Sequence, residues 1–251
     1  VVNPSGTATP IISAGPGAAE TAPAAAPESD WAQLEPGVEL HEYKAGSSFV
    51  QVVRFDLSQV SVRVAYDAGA PGRVSQWQEA LTPLAVINGG YFDDQGRATA
   101  LTIFNGVRSG ASYEGFGGML AVDQSGTVTV RSLRDQPYDV SEGLAQALQS
   151  APMLGANGQR VPQPNDDGAR SRRSVVAMDD QGRLLLIVCG WPVFSLSELS
   201  QWLVDQDLGI ANALNLDGGS STGLAVAATE RSFTIDSLVP VPQVLVIERR
   251  P

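Results

Sequence analysis

Apolar and polar positions alternate along Ser48–Asp56 and Val60–Tyr66, the period of half-buried strands, and the short break at Leu57-Ser58-Gln59 joins them as a pair. The stretch Val38-Glu-Leu-His-Glu-Tyr43 alternates in the same way, so folded sequence begins near Trp31. Gln76–Leu81 predicts a short helix that Pro83 ends, and Leu84–Ile87 a compact apolar strand. Further strands are expected at Thr99–Phe104, Gly118–Asp123 and Thr127–Leu133, the last two joined by a turn at Asp123-Gln-Ser-Gly126. Ser141–Ser150 carries apolar residues at 144, 145, 147 and 148 and predicts a helix. Arg173–Asp179 and Leu184–Cys189 predict a hairpin turning at Asp180-Gln-Gly182. The clearest helix spans Ser195–Leu208: Ser195-Leu-Ser-Glu198 is a capping box, and Gly209 is a natural stop. Strands at 213–216, 223–227 and 243–248 complete the chain.

Strands outnumber helices and most neighbours are hairpin-connected. The expected fold is α/β: one β-rich domain with mixed or antiparallel sheets and a few covering helices. No repeat of fixed period is present. Residues 1–30 are rich in Ala, Pro, Gly, Ser and Thr without periodicity. They read as the disordered tether of an exported protein whose signal peptide has been removed. The expected organisation is a tether over 1–30, N-terminal strands of the same domain over 31–83 and the main core over 84–251. No apolar run approaches the ~20 residues that span a bilayer.

Composition narrows the chemistry. A net charge of −11 over 251 residues argues against nucleic acid as a partner. The only Cys, Cys189, lies in the apolar run Leu184–Cys189 and reads as a buried small hydrophobe. One His (His41) and one Lys (Lys44) leave no cluster for a zinc site. Carboxylates, arginines, hydroxyls, amides and backbone N–H groups remain. No cofactor is required. Carboxylates can accept Ca²⁺, but no EF-hand spacing is present and no metal is expected.

Two apolar strands end alike. Ala213-Leu-Asn-Leu-Asp-Gly-Gly-Ser-Ser-Thr-Gly-Leu224 runs into an acid, two glycines and three hydroxyl residues. Leu84-Ala-Val-Ile-Asn-Gly-Gly-Tyr-Phe-Asp93 has the same grammar. Asn215 and Asp217 are two apart and point the same way in an extended chain. Gly218, Gly219, Ser220 and Ser221 can present amides and hydroxyls to an anion, although Asp217-Gly218-Gly219 can also be no more than a tight turn. In the first elbow Asn88, Gly89 and Gly90 are candidates to lie beside the second, and Tyr91 and Phe92 to wall a sugar ring. A core aromatic pair would read the same. Arg170-Ser171-Arg172-Arg173 is unusual in so acidic a chain. The functional reading is a guanidinium clamp on phosphate, with Arg173 best fixed at the strand boundary; the plain one is a solvated loop pairing with Asp166 and Asp167.

In their order along the chain, Asn88-Gly-Gly-Tyr-Phe-Asp93, the Arg-Arg-Ser entry at 172–174, the Ser195–Leu199 helix start and Asn215-Leu-Asp-Gly-Gly-Ser-Ser221 resemble the phosphodiester glycosidases over about residues 84–248. Family members often carry a third glycine where this chain has Ser220, and an Asp-Gly-Arg where it has Cys189-Gly190-Trp191. The resemblance implies hydrolysis of the anomeric C–O bond of a sugar-1-phosphodiester, giving a sugar and a phosphomonoester. On that reading Asp217 is base or nucleophile. Arg173, with Arg170 or Arg172, and the Gly218–Ser221 backbone hold the phosphate. Asn88 and Asn215 orient sugar hydroxyls or water. The partner is a small-molecule or glycan substrate bearing a phosphodiester, met outside the cytoplasm. Two alternatives stay open: a non-catalytic envelope glycan-binding module, and a serine hydrolase using Ser220 with His41.

Overall fold

The computed structural model describes residues 30–250, so all but the last residue of the expected tether lies outside them. Strands β1 (Ala32–Glu35), β2 (Val38–Ala45), β3 (Ser48–Phe55) and β4 (Val60–Tyr66) precede helix α1 (Val74–Leu81). Then follow β5 (Ala85–Asn88), β6 (Thr102–Phe104), β7 (Val107–Ser109), β8 (Gly118–Val122), β9 (Val128–Ser132), β10 (Gln146–Ser150), β11 (Met153–Ala156) and β12 (Gln159–Arg160). The chain continues through β13 (Ser171–Asp179), β14 (Leu184–Phe194), α2 (Leu196–Asp205), β15 (Ile210–Asn215), β16 (Leu224–Ala227), β17 (Ser232–Ile235) and β18 (Gln243–Arg249).

The strands form three sheets, ordered β1-β2-β3-β14-β13-β15-β11-β12, β7-β6-β10-β8-β9 and β17-β16-β5-β18-β4. Neighbouring strands run antiparallel, as the hairpin pattern predicts. One apolar cluster draws Val53 and Phe55, Leu120 and Leu148, and Ile87 and Leu245 from the inner faces of all three sheets. The outer face of the largest sheet is covered by α2 through Leu199 and Leu203. The third sheet is backed by Val74, Trp77 and Leu81 of α1. Central strands are therefore buried on both faces. That is why Ala85–Asn88 and Leu184–Cys189 are continuously apolar although antiparallel strands more often alternate.

Two local expectations fail. Ser141–Ser150 is not a helix. Val140–Glu142 makes one 3-10 turn, Gly143 stops it at φ +60°, and Gln146–Ser150 enters the second sheet as a strand between β6 and β8. All five residues of that strand are buried, so burial on both faces mimics the spacing of a helix stripe. Helix α2 begins on its Ser195–Glu198 capping box but ends at Asp205, not Leu208. Gln206 turns extended, and this carries Leu208 into the core under the sheet.

For the site, the decisive relation is one of ends. The start of β13 lies beside the end of β15, with Val175 opposite Asn215. The end of β5, from another sheet, meets both: the Asp217 amide donates to the Gly89 carbonyl at 3.0 Å.

Candidate active site

Asn88 joins the two elbows. Its Nδ2 donates to the carbonyls of Asp217 at 2.7 Å and Gly89 at 3.3 Å. Its Oδ1 accepts from the Ser174 hydroxyl at 2.6 Å and the Gly223 amide at 3.0 Å. All four hydrogen-bonding positions of the amide are thus used inside the protein. Asn88 is fully buried, so it does not orient sugar or water. It fixes the backbone of both elbows, and Ser174, which the sequence reading gave no role, is its partner.

Gly89 and Gly90 have a packing reason. A side-chain carbon at Gly90 would lie 2.6 Å from the Gln149 carbonyl. One at Gly89 would lie 2.7 Å from Gln243 Cγ. The elbow is pressed between β10 and β18, which sends Tyr91 and Phe92 to opposite sides. Phe92 packs toward α1, away from the site. The Tyr91 hydroxyl donates to the Ala151 carbonyl at 2.9 Å and accepts from Asn215 Nδ2 at 3.1 Å. Burial first, then the Asp217 charge, pushes the Tyr91 phenol up to about 12, so it stays protonated. Asp93 closes a turn onto Gln95 and Arg97 at the surface and holds nothing else.

Asn215 is also fully buried. Its Nδ2 donates further to the carbonyls of Ala151 at 3.0 Å and Leu216 at 2.7 Å. Its Oδ1 is buried and has no partner. Buried polar atoms in native proteins are almost always paired; this one is enclosed by protein, so a donor for it would be a water enclosed with it.

Asp217 follows directly. Burial raises its carboxyl above the ordinary range, against hydrogen bonds from the Ser221 hydroxyl and the Gly218 amide. The Gly218 bond measures 2.9 Å. The turn continues at Gly219 with φ +59°, a conformation that favours glycine, and closes as a 3-10 turn over Gly219–Ser221. Ser220 is exposed and has an ordinary φ, so a third glycine is not needed there. Its carbonyl accepts the Leu238 amide at 2.7 Å.

The three arginines part company. Arg173 reaches the turn: a side-chain carbon at Gly218 would lie 3.9 Å from both Arg173 Cδ and Nη1. Its Nε and Nη2 donate to the carbonyls of Phe194 at 3.3 Å and Ala169 at 3.1 Å. Among the described residues it forms no ion pair. The Tyr91 hydroxyl lies in the fields of both Arg173 and Asp217. Arg173 and Asp217 thus lie at one glycine turn, with Asn88, Asn215 and Tyr91 packed beside it. Arg172, its strand neighbour, turns away, and its Nη2 donates to the carbonyls of Thr222 at 3.0 Å and Asp236 at 2.8 Å. It buttresses the back of the turn. Arg170 leaves the site altogether, bound to Glu198 through both carboxylate oxygens. The expected clamp of three reduces to Arg173.

Sequence reasoning missed Tyr113. It sits close enough for its phenol to act on Tyr91, and it stacks on the exposed Phe116 at 4.5 Å between centroids. The loop 110–117 has no period and three glycines, so only the Tyr-x-x-Phe pair was there to be noticed.

The structure separates Ser220 from His41. His41 pairs with Val52, Val52 with Ile187, Ile187 with Val175 and Val175 with Asn215, so four strand spacings, roughly 19 Å, lie between His41 and the end of the strand that leads to Ser220. The His41 ring is stacked on Tyr43 at 3.9 Å. Cys189 is buried and its thiol is pushed up to about 12. Among the described residues no three His, Cys, Asp or Glu gather as a metal site, and no helix is long and apolar enough to cross a membrane.

The fold has relatives among solved structures. The chain is similar in fold to the catalytic domain of zebrafish N-acetylglucosamine-1-phosphodiester alpha-N-acetylglucosaminidase, a structure auto-inhibited by its pro-peptide. The TM-score is 0.64 at 20% identity, over 85% of this chain and 82% of that one. A hypothetical protein from Synechocystis gives TM-score 0.57 at 16% identity, over 85% of this chain and 62% of that one. A Burkholderia pseudomallei protein described as exported gives 0.56 at 14% identity, over 84% and 74%. No curated protein matches the sequence. The sequence profile of the phosphodiester glycosidases matches residues 82–248, a span that holds both elbows, Arg173 and the Asp217 turn, and the chain belongs to that family.

Proposed function

We propose that the chain hydrolyses the anomeric C–O bond of a sugar-1-phosphodiester, releasing the sugar and a phosphomonoester. One observation carries the reading: a half-buried carboxyl with a raised pKa and an arginine that forms no ion pair among the described residues lie at one glycine turn. Membership of the family supports the reaction class, and the name of the zebrafish neighbour supports an N-acetylglucosamine diester among the first substrates to try.

In this account Arg173 binds the phosphate and offsets the charge that grows as the C–O bond breaks. The leaving phosphomonoester has a second pKa of about 6, so it departs without a strong general acid. Asp217, ionised, serves the anomeric carbon as nucleophile or as base to water, and its field stabilises an oxocarbenium-like centre. Asn215, fully buried, anchors the Tyr91 hydroxyl and the Ala151 carbonyl beside the turn. Asn88 and Ser174 hold both elbows in register. The Ala/Pro-rich start of the chain and the exported neighbour support action outside the cytoplasm.

The test is a panel of sugar-1-phosphate diesters, including p-nitrophenyl diesters, with products identified by mass. Release of free sugar and phosphomonoester is expected. Failure on every diester, with saturable binding retained, supports a glycan-binding module instead.

A further inference from the structure

In the second sheet β6 and β10 lie between β7 and β8. The loop 110–117 that joins β7 to β8 therefore crosses the end of β10 at Ser150. The next residue, Ala151, offers the carbonyl that accepts from Tyr91 and Asn215. Both ends of the loop press on neighbouring backbone. A side-chain carbon at Gly117, where φ is +72°, would lie 2.6 Å from the Ser150 carbonyl, and one at Gly110, where φ is +77°, would collide with the carbonyl of Ala100. Between these ends Tyr113 and Phe116 are stacked with 27° between ring planes, and Phe116 is 51% exposed.

One buried side chain holds this loop. Gln149 of β10 is 1% exposed. Its Oε1 accepts from the Tyr113 amide at 2.8 Å, and its Nε2 donates to the Ser112 hydroxyl oxygen at 2.8 Å and to Met119 Sδ at 3.6 Å. The Ser112 hydroxyl in turn donates to the Tyr113 carbonyl at 3.1 Å. An amide this deep is costly to bury without partners, and the loop supplies them. The main chain of the same residue serves the elbow, since the Gln149 carbonyl is the group that leaves room only for glycine at position 90. Tyr113 is thereby set beside Ala151: a side-chain carbon at Gly117 would lie 3.0 Å from Tyr113 Cδ2 and 3.5 Å from Ala151 Cβ. Its phenol acts on that of Tyr91, which also lies in the fields of Asp217 and Arg173.

We infer that Gln149 is a positioning residue for the diester hydrolysis: through Tyr113 it fixes loop 110–117 as a wall beside Tyr91 and the Asp217 turn, and that wall sets how tightly the substrate is held. The role rests on the hydrolase reading. Asp217 and Arg173 take their geometry from other contacts, the Gly218 amide and the Phe194 and Ala169 carbonyls. Loss of the wall therefore leaves the reacting groups in place and removes an aromatic face against which the substrate packs, so it weakens binding more than turnover. Without the Gln149 amide, the Tyr113 N–H and the Ser112 hydroxyl turn to water, and the loop loosens between its glycine ends.

The test uses the intact protein and an aryl diester of N-acetylglucosamine-1-phosphate. Y113A should raise KM by about tenfold and change kcat by less than about twofold, and Y113F should restore KM. Q149L, which keeps the bulk without the amide, should raise KM as Y113A does. Added to Y113A it should raise KM no further, because both act through one ring. A KM penalty from Q149L that persists in full in the Y113A background, or a loss that falls on kcat in either variant, refutes the inference. Amide hydrogen exchange reads the link without turnover: the Tyr113 N–H should exchange at least about tenfold more slowly than in an unstructured peptide, and lose that protection in Q149L. An unprotected Tyr113 amide in the wild type overturns the inference, and does so even if Q149L does not fold. If the wild type cleaves no diester, the hydrolase reading falls, and calorimetric titration with N-acetylglucosamine-1-phosphate decides the wall. Binding about tenfold weaker in Y113A upholds it; equal binding, or none in the wild type, refutes it.

Discussion

The side-chain amide of Asn88 donates to the main-chain carbonyl of Asp217 at 2.7 Å, across 129 positions of sequence. Through this bond the end of one sheet holds the proposed catalytic carboxylate of another. Its other bonds reach Ser174 and Gly223, so one buried side chain ties four segments together. Asn88→Ala leaves a hydroxyl, an amide and a carbonyl without partners. At about 1–3 kcal/mol for each group so left, the loss of stability is expected to reach about 3 kcal/mol or more. Urea denaturation measures it. Asn88→Asp should cost more, because it sets a carboxylate against two carbonyls. A loss in either variant no larger than that of a surface substitution would mean that this junction does not hold the fold.

Asp217 links activity and stability with opposite signs. Burial raises its folded pKa above the unfolded value. Ionisation therefore works against folding; the cost is complete above the folded value and absent below the unfolded one. Asp217→Asn is expected to raise Tm at neutral pH, with the gain shrinking as pH falls into the acid range. The same change should lower kcat by about 10²–10⁴-fold. For the wild type, kcat/KM should fall as pH drops through the raised Asp217 value. A limb centred at or below the ordinary carboxylate range would argue against Asp217 as the ionised group.

The arginines should behave differently in one assay. Arg173→Lys keeps the charge but loses the fork that two carbonyls fix, and kcat should fall by about 10²–10³-fold. Arg170→Ala only opens a solvent-exposed pair with Glu198, so activity and Tm should both stay at wild-type values. Similar losses from both would restore the three-arginine clamp.

Cys189 and His41 provide negative controls. With its thiol buried and pushed up to about 12, Cys189 should resist a disulfide reagent in the native protein and react only after denaturation. His41→Ala should leave turnover intact, because the ring is stacked on Tyr43, four strand spacings from the strand that leads into the turn. Loss of turnover in His41→Ala would revive the serine-hydrolase alternative.

The elbows at 88–90 and 217–219 were legible because a buried strand that ends in Asn or Asp and two glycines has few structural uses. The capping box at Ser195 was legible because it is local. What escaped depends on which strands meet. The Ser174–Asn88 bond joins two sheets, and no spacing in the chain encodes it. Arg172 and Arg173 are neighbours in sequence, yet the bulge opposite them and the alternation of β13 send them to opposite sides of one turn. Gln146–Ser150 misleads because a strand buried on both faces has no period of its own.

A glycosidase and a phosphodiesterase differ in which bond breaks. Hydrolysis of a sugar-1-phosphodiester in oxygen-18 water, with products weighed by mass spectrometry, reads this directly. Label in the released sugar and none in the phosphomonoester is the expected result. Label carried by the phosphomonoester, with the sugar unlabelled, would mean attack at phosphorus and would contradict the assignment of Asp217 to the anomeric carbon.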